Sequence, residues 1–211
     1  MIGHIASCQN KFEGTTKVLY KFEGNSTNYG PVSVTLSENG TVYENTIIIP
    51  QAKGLYCAYP LDGTNNYGVN SFVSFLAGKT DWSIDCLFRS TNLATTNFIL
   101  SWVKIGHYEA HFSINTSGQI GFGANGNTII TSGTPIATGI WYHIMVRQDT
   151  GKPTQIWLNG VKQILTAANQ YNWDGNIQDG YIGRYRLGGG QTFYLKNFRI
   201  CVPSMKAPRV I

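Results

Sequence analysis

The stretch from Thr138 to Gly160 restricts the chain to a β-sheet architecture more sharply than any other. From Trp141 to Arg147 the residues alternate. Tyr142, Ile144 and Val146 fall on one face and Trp141, His143, Met145 and Arg147 on the other, the period of a strand. Asp149-Thr150-Gly151-Lys152-Pro153 supplies the backbone conformations of a loop, and Thr154 to Leu158 alternates again with Ile156 and Leu158 inward. Asn159-Gly160 fits a two-residue type I′ turn, whose central positions both need φ > 0, and Val161 to Leu165 is the expected return strand.

The same period recurs along the chain. Trp82, Ile84, Cys86 and Phe88 give one inward face, followed by strands expected at Phe98 to Lys104, His107 to Ile114, Gln119 to Gly123, Thr128 to Thr131 and Phe193 to Cys201. Earlier, Val18 to Phe22 alternates, short β-prone pieces stand at Val32 to Leu36 and Thr46 to Ile49, and Leu55 to Leu61 alternates around Pro60. That proline predicts an edge position or a bulge, and Asp62 to Asn66 a turn. With 13% charged residues and 24 glycines, many short strands and tight turns are favoured and no convincing helix is present. A length of 211 residues suits one such domain.

Six segments carry a family resemblance: Lys17-Val-Leu-Tyr-Lys-Phe-Glu-Gly24, Leu55 to Gly63, Asp81-Trp-Ser-Ile-Asp-Cys-Leu-Phe-Arg89, the Trp141 to Val161 hairpins, Tyr181-Ile-Gly-Arg184 and Tyr194 to Ile200. Together they resemble laminin-G-like domains of the concanavalin A-like lectin-glucanase class, in the form found in virion proteins of tailed bacteriophages. The resemblance implies an all-β jelly-roll sandwich of two antiparallel sheets in which the last strand lies beside the first, putting Phe198 and Ile200 near Val18, Tyr20 and Phe22. It divides the chain into an arm over residues 1–16, a domain over 17–203 and a tail over 204–211. His143 matches the family's histidine beside the tryptophan strand, where a neighbouring backbone group is expected to satisfy the imidazole.

Several function classes are expected to be absent. The net charge of +5 comes from 16 scattered basic residues with no clustered or aromatic-interleaved motif, so no nucleic acid is expected. No apolar run reaches the roughly 20 residues that span a bilayer, and the first residues do not read as an export signal, so neither membrane insertion nor a signal peptide is expected. Cys8, Cys57, Cys86 and Cys201 include no CxxC pair; free thiols are expected, with a Cys57 to Cys86 bridge as the alternative. The glucanase pattern Glu-x-Asp-x-Glu has only Asp81, Ser83 and Asp85 as its counterpart, and no histidine has a serine elbow or HExxH spacing, so no enzyme is expected. Asp174, Asn176 and Asp179 offer oxygen ligands, but Lys196 and Asn197 stand where relatives carry acids, so no metal or other cofactor is expected.

Two functional readings remain, with glycoside hydrolysis as a further alternative on fold analogy. The first is a structural component of a phage virion, a capsid decoration or tail-fibre protein made in the host cytoplasm. In it Ile2, Ile5 and Phe12 of the arm anchor to other virion proteins or to further copies of the chain. The second is a lectin-like module for host-surface glycans. Its candidate ligand residues are Trp102, Tyr108, His111, Tyr171, Trp173 and Tyr185, because sugar sites combine aromatic faces with polar loop groups.

Overall fold

The computed structural model describes residues 16–20, 29, 37–39, 42–44, 54–57, 66–69, 76–104, 110–124, 129–131, 133–171, 173, 177–183 and 193–204. The strands among them are β1 (Thr16–Tyr20), β2 (Ser37–Asn39), β3 (Val42–Glu44), β4 (Gly54–Cys57), β5 (Asn66–Val69), β6 (Trp82–Ser90), β7 (Asn97–Lys104) and β8 (Ala110–Ile114). They continue with β9 (Ile120–Ala124), β10 (Ile129–Ile130), β11 (Tyr142–Gln148), β12 (Gln155–Leu158), β13 (Val161–Lys162), β14 (Ile177–Ile182) and β15 (Phe193–Cys201). Among the described residues there is no α-helix. All pairings are antiparallel: the first sheet runs β13-β12-β11-β6-β15-β4-β3, with β1 also on β15, and the second runs β10-β9-β8-β7-β14-β5-β2. The chain is an all-β jelly-roll sandwich.

Alternation decides which side chains meet between the sheets. From the first sheet come Trp82, Ile84, Cys86 and Phe88 of β6, Ile144 and Val146 of β11, and Ile156 and Leu158 of β12; Leu100, Phe112, Ile120 and Phe122 face them from the second. The register joins these sets, with Ile144 opposite both Cys86 and Leu158, and Val146 opposite both Ile84 and Ile156. The Asn159-Gly160 turn has φ of 49° and 82°, the positive pair that a type I′ hairpin requires. Gly118, at φ 75°, serves a second turn. Its N–H donates to the Asn115 carbonyl and its carbonyl accepts from Ile136 N, both at 2.9 Å, and the approach is so close that a Cβ there would strike the Ile136 carbonyl.

Strand β15 has the phase of two strands joined by a slip. Phe193 and Leu195 are buried, and so are Phe198 and Ile200, an odd spacing that an unbroken strand would send to opposite faces. The register against β6 shifts between Lys196 and Arg199, where Asn197 takes φ 52°. Asn tolerates that left-handed conformation, so the bulge restores the inward phase of the second half.

The expected closing strand, Phe193 to Cys201, has the bounds read from its sequence, and β1 pairs with it at Val18↔Ile200 and Tyr20↔Phe198 as the resemblance implies. Other expectations fare differently. Strand β4 lies between β15 and β3 and ends at Cys57; the edge position or bulge expected at Pro60 falls outside the described residues. Cys86 and Cys201 are free buried thiols, as expected, and the alternative bridge from Cys86 to Cys57 is excluded; burial pushes the Cys86 pKa up, with the Asp85 charge adding to the effect, and it behaves as a small apolar group. Asn66, assigned to a turn, begins β5; neither β5 nor β2 has the alternation that marks a strand. The pieces at 32–36 and 46–49 lie outside the described residues.

Ile144→Ala removes a side chain with no solvent exposure from the joint of β6, β11 and β12. It is expected to lower unfolding free energy by about 2 to 5 kcal/mol, read from the denaturant midpoint at unchanged slope.

Candidate functional site

The aromatic residues singled out in the sequence divide between core and surface. Trp102, Tyr171 and Trp173 come together, with ring centroids at 5.7 Å, 4.8 Å and 5.0 Å for the three pairs. They do so inside the sandwich: Trp102 is 0% and Trp173 1% exposed, stacked with Trp82 and Phe122. As open sugar platforms Trp102 and Trp173 are therefore corrected. Trp102 Nε1 donates to the Tyr171 hydroxyl at 2.9 Å, and Gln148 Oε1 accepts from Tyr171 N and Thr154 Oγ1, both at 2.7 Å, fixing the loop as a plug. His111 is half-buried, 5.5 Å from the Phe98 ring and paired with Ser101 and Gly123 in the second sheet. Tyr108, Tyr185, Ile2, Ile5 and Phe12 lie outside the described residues, as do Asp174 and Asn176.

The outer face of the first sheet concentrates polar chemistry that the core pattern leaves over. Ser83, Asp85, Met145, Lys196 and Cys201 are all nearly inaccessible although they point away from the Ile84 and Val146 face. At its centre Asp85 ties three strands. Arg199 Nε and Nη2 donate to its two oxygens at 2.9 Å and 2.8 Å, and His143 Nε2 lies 3.0 Å from Oδ2. The expected backbone partner of His143 is thus corrected to a carboxylate; its imidazole stands on β11 two residues before Met145, which is the residue opposite Asp85. Burial alone would raise the Asp85 pKa, but the hydrogen bonds from His143 and Arg199 and the charges behind them outweigh it and hold the carboxyl below its ordinary range.

Further along the same face, side chains from three adjacent strands form a row. Tyr142 is opposite Phe88, so Trp141 stands beside Arg89, and Arg89 is opposite Tyr194, which is opposite Tyr56. Arg89 Cζ lies 5.1 Å from the Tyr194 ring centroid, and the Trp141 and Tyr194 rings are 6.2 Å apart at 53°. Arg89 Nε and Trp141 Nε1 are buried donors with no acceptor among the described residues. Trp82, Trp157 and Trp173 share this state at Nε1, and each such donor costs about 1 to 3 kcal/mol relative to a satisfied one. A groove of about 400 Å³ elsewhere, bordered by Thr154, Gln155, Lys162, Gln163 and Thr166, presents neither an aromatic ring nor an acid.

Reading one strand at a time missed Arg89 and Tyr194. Both stand at outward positions of recognised strands, but their meeting with Trp141 depends on the pairing of segments far apart in the chain.

No protein-family model matches the sequence. No curated protein matches it either. Solved structures do share the fold. A Trypanosoma rangeli sialidase in complex with 2,3-difluorosialic acid superposes with a TM-score of 0.69 at 10% identity, over 93% of this chain and 32% of that one. A botulinum neurotoxin type C structure, described by a cell entry dependent on two ganglioside molecules, gives 0.66 at 10% identity, over 92% and 49%. The binding domain of botulinum neurotoxin DC with rat synaptotagmin II gives 0.68 at 11% identity, again over 92% and 49%. The chain spans about a third of the sialidase and about half of the toxin chains. These likenesses are of fold. They also correct the expectation that the chain is no enzyme: the fold is found within sialidase chains, so the exclusion of catalysis does not stand.

Because folding lowers the Asp85 pKa, the native protein holds that proton less tightly than the unfolded chain. The resulting stability is present above the ordinary carboxylate pKa and is lost as pH falls through the folded value. Asp85→Asn leaves Arg199 unmatched beneath the surface and is expected to cost about 3 to 5 kcal/mol at neutral pH. It should also flatten the acid limb of a melting-temperature profile between about pH 5 and 2.

Proposed function

We propose that the chain is a glycan-binding, lectin-like module whose ligand lies along the Trp141, Arg89 and Tyr194 row. The observation that carries this reading is the pairing of two rings with two buried N–H donors, Arg89 Nε and Trp141 Nε1, that lack acceptors among the described residues. A sugar offers what that surface lacks. Its hydroxyl oxygens accept hydrogen bonds and its C–H face packs on aromatic rings, the combination of apolar body and few directed polar groups common to ligand sites. The solved chains of similar fold add support, since one of them is described by its interaction with gangliosides and another holds a sialic acid derivative.

A glycan array probed with the protein, followed by titration of the best ligand, tests the reading. Tyr194→Ala removes a half-buried ring and should weaken binding about tenfold, or ~1.4 kcal/mol, while circular dichroism stays native. Trp141→Phe keeps a ring but loses the donor, and a smaller loss of about threefold is expected. An array without any bound glycan, or equal affinity in both variants, overturns the assignment.

The phage-like sequence motifs favour a second role, display on a virion surface, and the pairing of first and last strands at Val18↔Ile200 agrees with the family those motifs resemble. In that role the arm over residues 1–16, with Ile2, Ile5 and Phe12, holds the module to other virion proteins or to further copies of itself. Immunogold labelling of purified particles tests the location. Deletion of residues 1–15 is expected to release the protein from particles, and persistent attachment would rule the anchoring role out.

A further inference from the structure

Arg89 is the one member of the row with a permanent charge, and its surroundings indicate what kind of sugar it receives. Among the described residues it has no carboxylate partner: Asp85 is taken by Arg199 and His143, and Asp149 by Arg147 and Lys152. Its recorded contact is with the Tyr194 ring, and its Nε hydrogen is buried without an acceptor. A guanidinium is a planar fork of donors that fits a carboxylate through two parallel hydrogen bonds, a fit that a neutral hydroxyl supplies only in part.

The same column of β6 contains no free negative charge to repel an anion. Asp85, four residues before Arg89, is matched by a bidentate arginine and a histidine. The net charge of +5 draws anions toward the molecule as a whole. Trp141 Nε1 provides a second donor beside the guanidinium, and the Trp141 and Tyr194 rings flank it at a separation of 6.2 Å. A carboxylate on a sugar would offer the Arg89 fork the acceptor that it lacks among the described residues.

We infer that the row selects acidic glycans, sugars bearing a carboxylate, with Arg89 as the residue that sets this preference. The inference rests on the glycan-binding reading above. Calorimetric titration with a sialylated trisaccharide and a glucuronic acid-ended disaccharide, each beside its neutral parent, separates the two. The acidic member of each pair is expected to bind at least about tenfold more tightly at low salt, with the gap narrowing as salt is raised. Arg89→Gln should lower affinity for the acidic sugars far more than for the neutral ones, and Arg89→Lys, which keeps the charge without the fork, should retain part of the preference. Both variants are compared by melting temperature, so that the lysine variant carries the test if the glutamine variant fails to fold. Equal affinity for acidic and neutral members, or a preference unchanged in the variants, overturns the acidic selectivity and leaves glycan binding standing. Absence of binding to every sugar removes the glycan reading, and this inference with it.

Discussion

One extra residue in β15 sets which side chains the rest of the molecule receives. With Asn197 at φ 52°, Phe193 and Leu195 before it and Phe198 and Ile200 after it all turn inward. The same slip sends Tyr194 and Arg199 outward to meet Arg89 and Asp85 on β6. Without it, one half of the strand would present its apolar residues to the outer face and its arginine to the core, where an unmatched charge costs several kcal/mol. Core packing and the polar outer face are therefore two consequences of one backbone irregularity, and both are anchored to β6.

That dependence explains what could be read from the sequence. Strands such as Trp82–Ser90 and Tyr142–Gln148 declare themselves by alternation, and Asn159-Gly160 names its own turn, because these signals are local. The closing strand was readable in extent, and its place beside β1 came with the family resemblance. Its bulge was visible only as a break in phase between Leu195 and Phe198. Strands β2 and β5, of three and four residues, carry too little pattern to stand out; they exist because neighbours supply their pairing. The row of Trp141, Arg89 and Tyr194 belongs to this second kind, since no window of sequence contains it.

The candidate aromatic residues show a related limit. Tyrosine and tryptophan in loop-like sequence suggest ligand contact, yet Tyr171 and Trp173 fold back over Trp102 and Phe122 to close the core. The polar atoms that make this possible are specific. The Tyr171 hydroxyl accepts from Trp102 Nε1, and Gln148 with Thr154 holds the Tyr171 backbone, so the loop brings its own hydrogen-bond partners into a buried site. Ring chemistry alone does not distinguish a lid from a platform; burial does, since Trp173 is 1% exposed although its Nε1 has no acceptor among the described residues.

On the outer face the polar groups divide into matched and unmatched sets. There the polar tips of Arg89 and Trp141 are buried without acceptors among the described residues, whereas Asp85, Arg199 and His143 on the same face satisfy one another. Trp157, Trp82 and Trp173 also leave their Nε1 without an acceptor among the described residues, so what sets Arg89 and Trp141 apart is that they stand side by side on neighbouring strands. The triad provides rigidity by tying β11, β6 and β15 together, and the row a few residues away on the same three strands inherits that rigidity. A surface that keeps its donors unspent on a stiff support loses little freedom when a ligand arrives, which is the condition under which a few directed contacts are enough to discriminate between ligands.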